Sequence, residues 1–480
     1  MDLKDKESPK RAEVLLNDVA IAYVYSFSFE EVDVKKVIDA LSKRDYIKSR
    51  TCHSPKNPSS NIKTSYSLVE ELRKYDKDQY FPEYLSSERI RCVELRSIKL
   101  NFNGKTLEAQ VLLSLHEYGV GTLIFVFSNI NMINFDHLRD LVFLGNIEGE
   151  YIFPFKSVSK EKPNGNFVTL THMFGEILGL LEKDTDIKII RGNTTALEST
   201  TNSSSISEEN YNVYVSVFIS DPGDMFNTPE EFVKKNEKEM FELVTIRYHQ
   251  KDNKYYYFSR SNAYIESIMK KLLGNRKHIR YYLTEERMTA ISLAKHYKDW
   301  YPYDYKWWIG YLSLLNVVRM QFQLLYKLYK RLYIRNMTEN PTRRIELRRI
   351  IINGLEEYHN LRFPVNERTR EFVEHCKKAM NLNRFYDVIE EKLDLITQSI
   401  QEYFDRESQN RTNATTTAVN LLTIILSLPA AIQIVDKFFV NPPIYYYFGF
   451  WFCIGLSYFA LQRMLFWFAS RSLRKIREKT

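Results

Sequence analysis

Five residues near the C-terminus, Asn413, Thr416, Asn420, Thr423 and Ser427, are spaced 3, 4, 3, 4. On a helix this spacing puts amide and hydroxyl groups on one face for about four turns. Leu421, Leu422, Ile425 and Leu428 fall on the opposite face. Polar groups turned toward lipid are costly, so such a stripe must face protein or water. Two chemistries fit it. Small polar residues hold helices together inside a bilayer. A ring of identical helices could also line an aqueous path with them.

The elements that must position the stripe are legible around it. An apolar segment runs from Ala418 to Val435 and a second from Ile444 to Phe468. A bilayer core needs about 20 apolar residues of helix, so the pair reads as two membrane spans. Only Asp436 to Pro443 separates them, which predicts a helical hairpin with both flanks on one side. The tail that follows, residues 469–480, carries Arg471, Arg474, Lys475, Arg477 and Lys479. Positive charge marks the cytoplasmic side, and these residues suit anchorage at anionic headgroups. The expectation is a multi-pass protein of the cell inner membrane with both termini in the cytoplasm. Two spans with one polar stripe cannot enclose a pore alone, so a homo-oligomer in the bilayer is expected. The large cytosolic portion and the helix leading into the first span favour the pore over simple packing.

Composition agrees with a membrane element at one end only. The 480 residues are 27% charged and 44% hydrophobic, with a formal net charge of +8. Part of that excess is the tail, so charge does not argue for direct nucleic-acid binding. The four cysteines, Cys52, Cys92, Cys376 and Cys453, form no Cys-x-x-Cys pair, and neither a disulfide framework nor a zinc site is expected. The first thirteen residues are charged and lack an apolar core, which predicts no signal peptide. The histidines are scattered without a His-x-x-x-His pair, and no Gly-rich phosphate loop or Gly-x-Ser-x-Gly elbow occurs. No catalytic residue, metal site or cofactor is expected, and the chain does not read as an enzyme.

The rest of the chain reads as an α+β cytosolic domain followed by long stalk helices and a C-terminal two-helix transmembrane hairpin. Residues 1–283 form the α/β domain. Strands are expected at Val19–Phe29, Ile90–Phe102, Leu107–His116, Thr122–Phe127 and Tyr211–Ile219, and helices at Val32–Ser42, Phe135–Phe143 and Pro229–Met240. Asn103-Gly104 signals a tight hairpin, and Leu243–His249 with Lys254–Ser259 another. Residues 193–210, mostly Thr, Ser, Asn and Glu, read as a flexible insert. From Thr284 onward only helices are expected, with 284–365 a helical region and 366–417 a stalk helix. Trp307–Val318 is apolar enough to suggest another span, but Asn316, Arg319, Gln321 and Gln323 interrupt it and predict a core helix. Phe385, Ile389, Leu393, Ile396, Ile400 and Phe404 make an apolar stripe along the stalk. No Pro or Gly separates it from the first span, so stalk and span are expected to be one rod. Arg343, Arg344, Arg348 and Arg349 could meet a phosphate-bearing ligand, but Glu346, Glu356 and Glu357 make a solvated helix face the better reading.

This plan resembles the CorA family of divalent-cation channels. Arg411-Thr412-Asn413, Leu422-Thr423-Ile424-Ile425 and Pro429 are similar to that family's first span, and the likeness covers about Asn366 to Thr480. It implies a pentamer of chains with the stripe lining the pore. The family's Gly-Met-Asn pore mouth is missing. Lys437-Phe438-Phe439-Val440-Asn441-Pro442-Pro443 stands in its place, with Asn441 the one candidate substitute. The likeness therefore narrows to divergent CorA-like proteins associated with type III CRISPR systems. There a cytosolic nucleotide second messenger acts on the soluble domain and the membrane part is the effector, in antiviral defence. The alternative is a magnesium transporter, with a divalent cation as its cargo.

Overall fold

A computed structural model describes residues 14–44, 46–50, 90–102, 105–142, 150–152, 170–190, 213–221, 226–245, 248–251, 254–257, 262–276, 279–293, 307–335, 341–361, 367–438, 443–449, 452, 453, 455, 456, 459 and 463. The chain divides into two compact units, Met1–Leu395 and Ile396–Thr480.

The first unit is built on one ten-stranded sheet. Its path begins with β10 (Leu273–Arg276), β11 (Ile279–Leu283), β12 (Arg287–Ser292) and β7 (Val213–Asp221). It continues through β1 (Asp18–Ser28), β5 (Val120–Ile130), β4 (Lys105–His116), β3 (Ile90–Phe102) and β2 (Ile47–Arg50), with β6 (Glu150–Ile152) also paired to β3. β7 and β12 run parallel and the other pairs antiparallel. β1 joins the two halves, pairing with β5 through Tyr25↔Leu123 and with β7 through Tyr23↔Val215. The later strands therefore extend the first sheet; they do not form a sister lobe. β3 and β4 pair down to Phe102↔Lys105, on either side of the expected Asn103-Gly104 hairpin, which lies outside the described residues. β8 (Tyr248–Lys251) and β9 (Lys254–Tyr257) form a separate hairpin, shorter than expected because Leu243 to Thr245 are helical.

Alternation along β1 gives the sheet two unlike faces. Val19, Ile21, Tyr23, Tyr25, Phe27 and Phe29 enter one apolar core. That core is closed by α1 (Val34–Lys43), α2 (Phe135–Val142), α3 (Leu170–Asp184), α4 (Pro229–Lys235), α5 (Glu237–Thr245) and α6 (Asn262–Leu272). The helix starts follow from capping chemistry. Asp33 accepts from the amides of Lys35 and Lys36 at α1. Thr228 accepts from Glu231 N–H at α4, and Glu231 accepts in return from Asn227 N–H. The expected helix Pro229–Met240 is two helices, because Asn236 donates its side-chain amide to the Phe232 carbonyl and interrupts the run.

The opposite face carries small residues, Ala20, Ala22, Ser26 and Ser28 on β1. On it lies α7 (Trp308–Arg335), beside α8 (Pro341–Asn360) and α9 (Glu367–Ala379). Asn316, Arg319, Gln323 and Lys327 of α7 are all buried and recur every third or fourth residue. Asn316 donates to Ser114 Oγ at 3.0 Å and accepts from Thr122. Gln323 donates to Ser28 Oγ at 2.9 Å. The Arg319 guanidinium lies 5.5 Å from the Tyr214 ring centroid and 4.9 Å from that of Phe322. Burial pulls its pKa down to about 10, against the opposing influence of Tyr214. The stretch Trp307–Val318 is thus a core element of this unit.

Two expectations are corrected here. The chain after Thr284 is not wholly helical. β12 at 287–292 completes the sheet, its Ala290 opposite Phe218 of β7 and Tyr281 of β11. The stalk at 366–417 is not one helix. α9 ends at Ala379, Asn381 adopts a left-handed φ of 54°, and α10 (Leu382–Phe438) begins at once. Asn tolerates this conformation at a helix C-terminus, where most side chains do not. Beyond the break the expected continuity is observed, since α10 runs from the stalk through the first apolar segment without interruption. The insert at 193–210 lies outside the described residues.

Gly119 closes the turn between β4 and β5 with a φ of 75°. A methyl group there would sit 2.1 Å from the Phe29 carbonyl oxygen and 2.4 Å from Lys327 Nζ. We expect Gly119→Ala to destabilise the fold by about 3 kcal/mol. Gly175→Ala on α3, with nothing within 4 Å of the new carbon, should be neutral or stabilising by up to about 1 kcal/mol. Thermal unfolding of the two variants in detergent checks both; equal shifts would contradict the turn geometry.

Candidate functional site

The stripe sits on α10. Asn413, Thr416, Thr423 and Ser427 are exposed in the single chain and Asn420 is half-buried. The hydroxyls turn their hydrogens back onto their own helix. Thr416 donates to the Thr412 carbonyl at 2.8 Å, Thr423 to that of Val419 at 2.9 Å and Ser427 to that of Ile424 at 2.7 Å. Thr417 donates in the same way to the Asn413 carbonyl at 2.9 Å. A hydroxyl bonded this way costs less in an apolar medium and keeps acceptor capacity on its outer side. A row of such oxygens can receive hydrogen bonds from water or a partner helix, or face a cation.

The apolar side of the same segment is bare. Val419, Leu421, Leu422, Ile425, Leu426 and Ile432 are each between 40% and 68% exposed. A contiguous apolar surface of this kind needs lipid or another chain against it. α10 is, among the described residues, the one helix long and apolar enough to cross a membrane. Pro429 lies inside it and removes the amide that would bond the Ile425 carbonyl.

The face extends further than the five residues. Gln409, Asp405 and Glu402 continue it toward the start of α10 at the same spacing, and all are exposed. Gln398 donates to Glu402 at 3.2 Å and Gln401 to Asp405 at 3.5 Å. The sequence carried this signal in the unbroken three-and-four repeat. On the far side of the helix, Arg411 is held by Glu407 at 2.6 Å.

Asn441 and the tail at 469–480 lie outside the described residues. The positions described in the second apolar segment, 444–449 and single residues up to 463, are helical. The Tyr447 hydroxyl donates to the Asp436 carboxylate, linking the last turn of α10 to the helix that begins at 444. Sequence alone did not single out this contact, although a Tyr after a Pro-Pro pair is an apt partner for a carboxylate across a short loop.

The other candidates disperse. Arg343, Arg348 and Arg349 of α8 are exposed and Arg344 is half-buried, with buried Leu347 and Ile351 between them, so the four guanidinium groups do not share one face. A ligand could lie between neighbouring subunits or in a cleft between the sheet and the later helices. Along α7 that space is filled by the helix's own side chains, bonded to Ser28, Ser114 and Thr122. Among the described residues no group of three or more His, Cys, Asp or Glu could hold a metal ion.

Each arginine placed at the centre of a spanning helix costs roughly 3 kcal/mol. We therefore expect the double substitution Leu422→Arg and Ile425→Arg to release the chain from carbonate-washed membranes. Retention equal to the parent would mean that α10 does not anchor it.

No family model matches this sequence, and no curated protein or solved structure matches it, so its function has to be argued from its own residues.

Proposed function

We propose that the chain is a homo-oligomeric, CorA-like membrane channel or effector, opened by a nucleotide-type messenger in the cytosol and serving antiviral defence. The observation that carries this reading is the polar stripe of Asn413, Thr416, Asn420, Thr423 and Ser427 on a helix otherwise suited to lipid. Rings of this stripe would line the pore, with Asn441 near its mouth. The CorA resemblance gives five chains as the expected number. The inner membrane would hold the hairpin, both termini would lie in the cytoplasm, and the basic tail would rest on anionic headgroups.

The large first unit supports a sensing role, since an anchor alone needs nothing like its ten-stranded sheet. The messenger's proposed place is a surface shared by neighbouring subunits. The messenger must bind the open state more tightly than the closed one to shift the equilibrium. No direct nucleic-acid contact is part of the proposal, and the chain is not proposed to be an enzyme. The competing reading is a magnesium transporter, favoured by the CorA-like run from Arg411 to Pro429 and opposed by the missing Gly-Met-Asn.

Reconstitution in liposomes separates the readings. Asn420→Leu and Thr423→Leu should each lower ion flux at least tenfold while oligomer mass in detergent stays unchanged, because each removes polar groups from a narrow aqueous path. Unchanged flux in both would make the stripe a packing surface. Cyclic oligoadenylates or adenylated S-adenosylmethionine should bind the full-length chain and increase leak. Rescue of a magnesium-uptake-deficient strain, with no response to any nucleotide, would favour the transporter.

A further inference from the structure

The spacing that defines the stripe does not stop at Ser427. Ala430, Ile434 and Lys437 prolong it by 3, 4 and 3. All three are exposed, and all lie within α10, which ends at Phe438. A seven-residue repeat keeps one seam on a common axis when helices supercoil. The seam therefore carries amides and hydroxyls as far as Ser427, then two apolar positions, then a cation. Asn413 and Lys437 are 24 residues apart, or about 36 Å of helix. A hydrocarbon core is about 30 Å thick, so a seam that starts at one surface of the bilayer reaches Lys437 at the other. The neighbouring acid is turned elsewhere. Asp436 lies about 100° round the helix from Lys437, and its carboxylate accepts from the Tyr447 hydroxyl. Ile432, on the apolar back, is about 140° away from the lysine.

We propose that Lys437 is the charge selector of the pore: one ammonium from each chain forms a ring at the far mouth that admits small inorganic anions and bars divalent cations. The inference rests on the channel reading and deepens it. Rings of lysine or arginine favour anions in pores, as rings of carboxylates favour cations. Repulsion scales with the charge of the ion, so a divalent cation meets twice the barrier that potassium meets. The seam from Asn413 to Ile434 carries no ionisable side chain that could offset the ring. Ala430 and Ile434 form an apolar collar over the roughly 15 Å between Ser427 and the lysine. A collar of that kind holds less water than the amide levels do, so the field of the ring is less screened there. Glu402 and Asp405, which extend the face at its other end, are at least about 48 Å along the helix from Lys437. That is several Debye lengths in physiological salt, so their charge does not cancel the ring. A lysine on the apolar back would reach for lipid headgroups; one on the seam meets the ions. The ring opposes magnesium entry, as the missing Gly-Met-Asn does.

Planar bilayers holding the full-length chain test it, with a gradient first of potassium chloride and then of magnesium chloride. The parent should pass chloride in preference to potassium and carry no measurable magnesium current. Lys437→Glu should lower the chloride-to-potassium permeability ratio at least about tenfold and admit magnesium. Lys437→Arg should keep the parent ratio, and Lys437→Gln should fall between the two. Asp436→Asn, adjacent in sequence but on the Tyr447 side, should shift the ratio much less. A parent that conducts but prefers potassium, or a ratio that Lys437→Glu leaves unmoved, would overturn the selector, leave the channel standing and make the lysine a headgroup anchor. An equal shift in Asp436→Asn would overturn the placement of Lys437 on the seam. A parent that passes no current, with or without a cyclic oligoadenylate or adenylated S-adenosylmethionine, would overturn the channel reading and the selector with it.

Discussion

The first unit depends on α7 burying charge and amide groups against a sheet face that sets Ser28, Ser114 and Thr122 among apolar residues such as Val24 and Ile124. A helix carrying Asn316, Arg319, Gln323 and Lys327 on one stripe cannot rest on an ordinary apolar sheet, since each buried polar group needs a partner or costs about 1–3 kcal/mol. The sheet meets this requirement strand by strand. Ser28 ends β1, Ser114 lies on β4 and Thr122 on β5, and each bonds α7 directly. Polar bonds have fixed geometry, so they set where α7 lies along the sheet. Apolar contact alone would let the helix slide. Of the helices that follow, α9 also meets the sheet directly, His375 lying 3.0 Å from the Tyr281 hydroxyl of β11.

The other face obeys a looser rule. Tyr23 with Phe127, Tyr25 with Phe125 and Phe174, and Phe27 with Phe174 meet as ring pairs with centroids 4.7 to 6.0 Å apart. Such a core tolerates exchange among large apolar residues better than a hydrogen-bonded seam does. The two faces divide the work: one supplies most of the apolar burial and the other supplies position.

Much of this was legible in the sequence, and the parts that were not have physical causes. Strands β1, β3, β4 and β5 were read from runs of Val, Ile, Leu and Phe bounded by turn residues. β12 was missed because Arg287-Met288-Thr289-Ala290 has no run of apolar residues. Its burial comes from pairing with β7 and β11, which a local pattern does not reveal. α3 was missed as well, although its Leu170, Met173, Phe174, Ile177, Leu178 and Leu181 keep a helical period. The break at Asn381 was hidden because only Met380 and Asn381 leave the helix, with no Pro or Gly to mark it. The interrupting residues of α7 were read correctly as a sign of core, but their partners come from strands about 200 to 300 residues away and cannot be inferred from spacing. On α10 the stripe, its continuity with the stalk and the apolar back were all legible, because each is a property of a single helix.

The stripe itself is two kinds of chemistry. The hydroxyls of Thr416, Thr423 and Ser427 return their hydrogens to the helix, so they are nearly as tolerable against a neighbour or lipid as small apolar residues. The amides of Asn413 and Asn420 differ, because each carries two donors and an acceptor that no single turn back onto the helix can take up. If only packing were at stake, hydroxyls and alanines would serve, as small residues do at membrane helix contacts. Two amides seven residues apart on the same face require partners along its length, either amides of neighbouring helices or water. On the proposed channel reading water is the partner of the two amides, and the hydroxyls between them keep that face polar at little cost to insertion.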